Sequence, residues 1–339
     1  MTHRLAARTV ALVAMVVAAT GCGGSSGGGS KSIVLYNGQH PELTNSLVSA
    51  FQQQTGIKVN THDADSLVVA TQILQEGRHS PADVVLTENS PELTTLQEHG
   101  LLAQLPSSIL SAVPADYRSP TGKWVGMALR VSSLVYDPKL VPRSQLPRSI
   151  LDLAEPRWKG KVAISPTDSD FPPIVAAVIE RYGQARAATW LQGLKRNAQS
   201  YQDEEAVTSA VNRGSVALGI INHYYWYRLR LEVGAKAMHS ALYFFPNGDV
   251  GSVVNVAGVA VLASSKHRDA ALRFVQFVVG LAGQRLIAKG DDFEYPARPG
   301  VPANSALPPF SKTPHATVPV AKLGDGSAAA RLIRDTGLI

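Results

Sequence analysis

SIVLYNGQHPELTNSLVSAFQQQTGIKVN, residues 32–60, reads as strand, helix, strand. Residues 32–37 form an apolar, β-branched run that ends at Asn37-Gly38. Beyond Pro41, the apolar residues Leu43, Leu47, Val48 and Phe51 recur at helical spacing and share one face. Pro41 suits a helix start and Gly56 a stop. Residues 57–63 return to strand. The alternation continues outward with a helix over 66–77, a strand over 82–89 and a helix over 90–100, giving βαβαβα. Strands alternating with helices in this way form parallel sheets with helices on their faces, so the fold class is α/β.

A second α/β block begins near residue 132, with KVAISP (161–166), a helical pattern over 174–197 and SVALGII (215–221). VVNVAGVAVLAS (253–264) reads as a strand returning to the first block, and residues 266–290 as the helices after it. The expected division is a first lobe of 32–131 with 256–303 and a second of 132–255 with 304–339. Two lobes joined by two crossovers close around a ligand by hinge motion.

Residues 1–21 have the layout of an export signal: Arg4 and Arg8, an apolar run from Val10 to Ala19, then small residues. The run is too short to span a bilayer. Cys22, the only cysteine, sits where a lipoprotein signal would be cut and a lipid attached, and residues 22–31 supply a Gly/Ser tether. The expected location is extracytoplasmic, periplasmic or anchored by lipid to the outer face of the cytoplasmic membrane. About 310 residues remain, enough for two cores and free of disulfides. The net charge of +6 falls to +4 without Arg4 and Arg8, and no Lys/Arg block suggests a nucleic-acid partner.

Ligands of open parallel sheets bind at the carboxyl ends of the strands. In the first block those ends carry His40 and Glu88; in the second they carry Asp168 and Asp170, then Asn222, Tyr224 and Tyr225. The chain is only 6% aromatic, yet NHYYWYRL (222–229) runs four aromatic residues together after a histidine. Asn222 reads as the N-cap of a helix over 223–233 stopped by Gly234. Both tyrosines then lie in the first turn, roughly 100° apart, and their phenols converge in front of it. A phenol ionises near pH 10 by itself, so a trivalent cation would be needed to hold it as phenolate. Taken singly, an aromatic cluster is more often packing, a histidine after a strand a turn residue, and Glu88 a solvated cap. Their coincidence on one sheet edge argues for a site.

With YNGQH (36–40), ADVVLTEN (82–89) and INHYYWYRL (221–229), the chain resembles the bacterial periplasmic ferric-iron-binding proteins, the solute-binding components of iron ABC importers. The likeness extends from Ile33 to about Leu338 and takes in RWKGKVAISPT (157–167) and EYPARPGV (294–301). It implies a type II periplasmic-binding-protein fold with mixed sheets, no enzymatic activity, and a monomer that delivers Fe(III) to a permease and its ATPase subunits. It also implies four metal ligands: His40, Glu88, Tyr224 and Tyr225. Carboxylate, phenolate and imidazole suit a hard cation, and one carboxylate with two phenolates balances three positive charges. Many members complete the octahedron with a small anion held by a TSGA-like turn and two asparagines. Here the turn is TDSD (167–170), Glu204 falls where one asparagine would be, and Asn222 keeps the other. Asp168, Asp170 and Glu204 would repel an anion at short range. The expectation is an altered pocket, with Asp168 or Asp170 as an oxygen ligand or water in the gap, and Arg130 balancing the charge or holding an anion by another route. The opposing expectation leaves these acids in solvent at the cleft mouth.

Two other classes compete. The same fold could carry a polyamine, sugar, thiamine or phosphonate, with aromatic rings stacking on the solute. A secreted hydrolase using His40 and Glu88 would need a nucleophile, and the chain has no G-x-S-x-G elbow, H-E-x-x-H helix or P-loop. A purely structural lipoprotein does not account for polar strand ends around a cleft.

Overall fold

A computed structural model describes residues 32–316 and 318–339; the signal, Cys22 and the tether lie outside them. The elements that place the site are β1 (Ser32–Gly38), α1 (Pro41–Thr55), β2 (Lys58–Asp63), α2 (Ser66–Glu76), β3 (Val84–Thr87), α3 (Ser90–Glu98), the short α4 (Ser107–Leu110) and the long β4 (Trp124–Tyr136). There follow β5 (Val162–Ile164), α5 (Phe171–Tyr182), α6 (Gln184–Asn197), β6 (Ala198–Ser200), α7 (Glu204–Asn212), β7 (Leu218–Asn222), α8 (His223–Val233) and β8 (Ala241–Tyr243). The chain ends with β9 (Val254–Val261), α9 (Arg268–Val279), α10 (Leu281–Lys289), β10 (Tyr295–Pro296) and α11 (Ser327–Asp335).

The apolar stripe of α1 buries Leu43, Leu47, Val48 and Phe51, and Gly56 ends the helix in the left-handed region at φ 71°. Phe51 meets Phe274 of α9 edge to face at 5.1 Å. Truncating it to alanine would cost about 3–5 kcal/mol. The helical pattern over 174–197 is two helices, broken at Gly183 with φ 82°.

Strand order is β2-β1-β3-β9-β4-β7-β5-β6, with β8 and β10 also on β4. The β1–β2, β1–β3, β5–β6 and β5–β7 pairs are parallel, as the alternation predicts. The sheet is nonetheless mixed, because β9 runs antiparallel to β3 and β4, and β4 runs antiparallel to β7. One strand explains the two lobes. Residues Trp124–Val131 of β4 pair with β9, and Ser132–Tyr136 of the same strand pair with β7. At that switch the Ser132 N–H donates to the Val253 carbonyl at 3.0 Å, so the outgoing and returning crossovers run side by side. Two hydrophobic cores lie on either side of it, one around Phe51, Trp124 and Phe274 and the other around Phe171, Trp190 and Phe245. After β10, which pairs with Leu129 and Ala128, the chain rejoins the second lobe where Ala316 bridges Val253 and α11 packs on α5.

Candidate functional site

Two parallel strand ends carry the first-lobe donors. Asn37 shapes the loop after β1. Its amide donates to the Gln39 carbonyl and to Asp63, while its Oδ1 accepts from the Gln39 N–H and the Thr44 hydroxyl. His40 occupies the N-cap position of α1 but makes no side-chain cap, which leaves its imidazole free for the cleft. Gly38 permits the close approach of α2, since a Cβ there would stand 2.7 Å from Ser66. Ser66 uses that approach: its hydroxyl donates to the Gly38 carbonyl and accepts the Glu88 N–H, each at 2.8 Å. One side chain ties together the backbones that carry His40 and Glu88.

The second lobe answers with α8. Tyr224 and Tyr225 stand in its first turn with ring centroids 4.1 Å apart. His40 Nε2 lies 3.1 Å from the Tyr224 hydroxyl and 3.2 Å from Glu88 Oε1. Neighbouring ligands on an octahedral ion with bonds of about 2 Å sit about 3 Å apart. Donors from both lobes therefore have the spacing of one coordination shell. Tyr225 lines the adjoining cavity of about 460 Å³ together with His40, Glu88 and Asp168.

Burial pushes the Tyr224 and Tyr225 phenols well above their usual range, and nearby acids add to the effect. Burial also raises Glu88, against the pull of Arg130. His40 falls to about 3 through burial and the nearby Arg228 and Arg130 cations, so its contact with Glu88 is no ion pair at neutral pH. These directions describe groups that need a cation to ionise them together.

Asp170 is fully buried and reaches the centre of the group. Its Oδ2 is 3.4 Å from the Tyr224 hydroxyl; its Oδ1 is 3.3 Å from Arg130 and accepts from the Asn89 amide at 3.0 Å. Arg130, buried on the hinge strand, also donates to the Glu88 carbonyl and Asn89, lies 3.4 Å from Glu294, and stacks 5.7 Å over the Tyr224 ring. Asp168 stays on the cleft wall. It accepts the N–H groups of Asp170 and Glu204, and burial raises its carboxyl to about 7.

Two expectations need correction. Asn222 stands at the N-cap of α8 as expected, but its side chain caps no helix N–H: its Oδ1 accepts from Asn255, and its own N–H donates to Glu204. Asp170 and Glu204 do not stand in solvent, being 0% and 1% exposed, because short side chains at the starts of α5 and α7 are covered by the opposing lobe and β7. Arg130 pairs with the carboxylates of Asp170 and Glu294, the first of the two roles expected of it. Sequence reading missed Ser66, Asn89 and Arg228. The spacing of Arg228 from Tyr224, one helical turn, was the available signal.

Among the described residues, no set of three or more His, Cys, Asp and Glu side chains is arranged to hold a metal. A family model for bacterial extracellular solute-binding proteins matches residues 79–316. The chain is 37% identical over 317 residues to an Fe(3+)-binding periplasmic protein of Serratia marcescens, covering 94% of each. It is 34% identical over 308 residues to the major ferric iron-binding protein of Neisseria meningitidis, covering 90% of this chain and 93% of that one. Iron-bound HitA from Pseudomonas aeruginosa superposes with a TM-score of 0.87 at 40% identity, over 90% of this chain and 99% of that chain. The chain belongs to the bacterial extracellular solute-binding proteins, within the family of periplasmic ferric-iron-binding proteins.

Proposed function

We propose that this protein is the extracytoplasmic carrier of an ABC importer, anchored through Cys22, that binds Fe(III) between its lobes and delivers it to a membrane permease. His40, Glu88, Tyr224 and Tyr225 are the ligands, Asp170 supplies a further oxygen in place of an external anion, and Arg130 balances the charge. The lobes divide as 32–131 with 256–303 and 132–255 with 304–339. The observation that carries the reading is the approach of His40 Nε2 to within 3.1 Å of the Tyr224 hydroxyl across the lobe boundary, with Glu88 of its own lobe 3.2 Å away. Its relatives' names and the iron-bound neighbour support the same cargo.

Fe(III) first engages the adjacent phenols of one lobe, and their protons leave to solvent as the phenolates bind the ion. Closure then adds His40 and Glu88, and because only the closed form offers all the donors, the ion shifts the population towards it. The test is a titration of the purified metal-free chain with ferric citrate, followed by the visible tyrosinate-to-iron charge-transfer band. The wild type should develop the band, the Tyr224→Phe/Tyr225→Phe double variant should not, and His40→Ala or Glu88→Ala should weaken uptake more modestly. A double variant that still takes up iron with a visible band would end the proposal.

A further inference from the structure

Arg228 follows Tyr224 by four positions and Tyr225 by three, so α8 carries it on the face of the two phenols. Its Nη1 is 3.3 Å from both ring nitrogens of His40. A neutral imidazole has one acceptor nitrogen, and a donor equidistant from both ring nitrogens is aligned with neither. The guanidinium is better described as a positive charge resting against the imidazole. Its other end faces outward, with Nη2 3.5 Å from Glu205 Oε1. There it borders a cavity of about 600 Å³ whose walls also carry Glu42, Glu205, Glu232, Asp291 and Asp292.

The cleft gathers Glu88, Asp170, Glu204 and Glu294 around one buried cation, Arg130. A second cation at His40 is favourable beside these acids. Once a trivalent ion is held by the same imidazole, its ligands balance its charge overall, but the ion and the guanidinium compete for the same ring nitrogen, against which Nη1 now lies at 3.3 Å. An arginine cannot shed its charge at any working pH, so relief must come by movement. Space and acidic partners for that movement are present in the outer cavity.

We propose that Arg228 is a built-in competitor of the cargo: its guanidinium spans His40 and Glu205 before loading, gives up His40 and turns wholly to Glu205 and the outer acids when the metal enters, and returns to His40 during release. This inference rests on the Fe(III) reading above. It makes Arg228 a positioning residue that sets the ease of unloading, and it predicts that removing the charge tightens retention.

The experiment loads wild type, Arg228→Gln and Arg228→Lys with ferric citrate and follows decay of the charge-transfer band after adding excess EDTA. Arg228→Gln should release iron more slowly, by on the order of tenfold. Arg228→Lys should stay near the wild type. The position of the band should be the same in all three, since the groups bound to the ion do not change. Release from Arg228→Gln as fast as, or faster than, from the wild type overturns the inference. So does a folded Arg228→Gln that forms no band while the wild type does, because Arg228 would then support binding. A folded wild type that forms no band overturns the Fe(III) reading itself. If Arg228→Gln fails to fold, a crystal structure of the iron-loaded wild type decides: Arg228 withdrawn from His40 supports the inference, and Arg228 still against His40 refutes it.

Discussion

The Asp170 carboxylate stands 3.4 Å from the Tyr224 hydroxyl while its other oxygen faces Arg130 at 3.3 Å. A side chain of this protein thus fills the space between the cation of the hinge strand and the first phenol with fixed negative charge. A free anion entering there would meet Asp170, Glu204 and Asp168 at close quarters, and like charges in a buried setting repel strongly. Iron uptake by the wild type should therefore be indifferent to added phosphate or carbonate. Asp170→Ala should bind at least about tenfold more weakly, from loss of a charged oxygen partner worth roughly 1.5–3 kcal/mol. Added phosphate should recover part of that loss, because removing the acid opens a pocket beside Arg130. The variant will also be less stable by about 3–5 kcal/mol, since a buried guanidinium loses a partner, so affinities must be compared on samples shown to be folded by circular dichroism. Equal phosphate dependence in wild type and Asp170→Ala would count against the built-in oxygen.

Ser66 makes a second, less visible contribution. Its hydroxyl holds the Gly38 carbonyl and the Glu88 N–H at 2.8 Å each, fixing the two strand ends from which the first-lobe donors project. Ser66→Ala should lower stability by about 1–2 kcal/mol through a buried carbonyl and amide left unpaired. Iron affinity should fall as well, because the two donors must then be ordered by the metal. The charge-transfer maximum should not move, as the phenolates sit on the other lobe. A Ser66→Ala protein with unaltered affinity for ferric ion in a citrate competition would show that the clamp serves stability alone.

Much of this arrangement is written in local pattern. Pro41, the Leu43-Leu47-Phe51 stripe and Gly56 define α1 by spacing and stop chemistry alone, and the alternation of such units places His40, Glu88 and Tyr224 on strand ends. The orientation of β9 was not legible that way, because a fully buried strand carries no period that distinguishes parallel from antiparallel neighbours. Nor was the length of β4, whose two halves pair with different lobes. Asn222 stands at the N-cap position that its residue type predicts, but its side-chain contact was not legible. Its Oδ1 is drawn to Asn255 rather than to a helix N–H, and a buried glutamate from another helix accepts its backbone N–H. Contacts of that kind join residues remote in sequence, and the clamp by Ser66 and the stacking of Arg228 on His40 belong to the same class.

Glu92, in the first turn of α3, lies outside the donor set but faces the same interlobe space. It borders an apolar cavity of about 370 Å³ with Leu67, Leu74, Pro172 and Pro173, and its Oε2 is buried without a hydrogen-bond partner among the described residues. Burial pushes its carboxyl up to about 8, with Asp65 and Asp170 adding to the shift and Arg130 opposing it. In the unfolded chain the same group titrates near its ordinary value of about 4.3. Between those two values the folded protein binds the extra proton, so by linkage this group's contribution to stability is complete below the unfolded value and is lost as pH rises through about 8. Glu92→Gln keeps the shape and removes the titration. Across thermal melts of the metal-free protein from pH 5 to pH 9, the wild type should lose more stability towards the alkaline end than Glu92→Gln does. Melting profiles that run parallel over that range would mean that the carboxylate finds water or a partner on ionising, and that the cavity beside it opens to solvent more readily than its apolar walls imply.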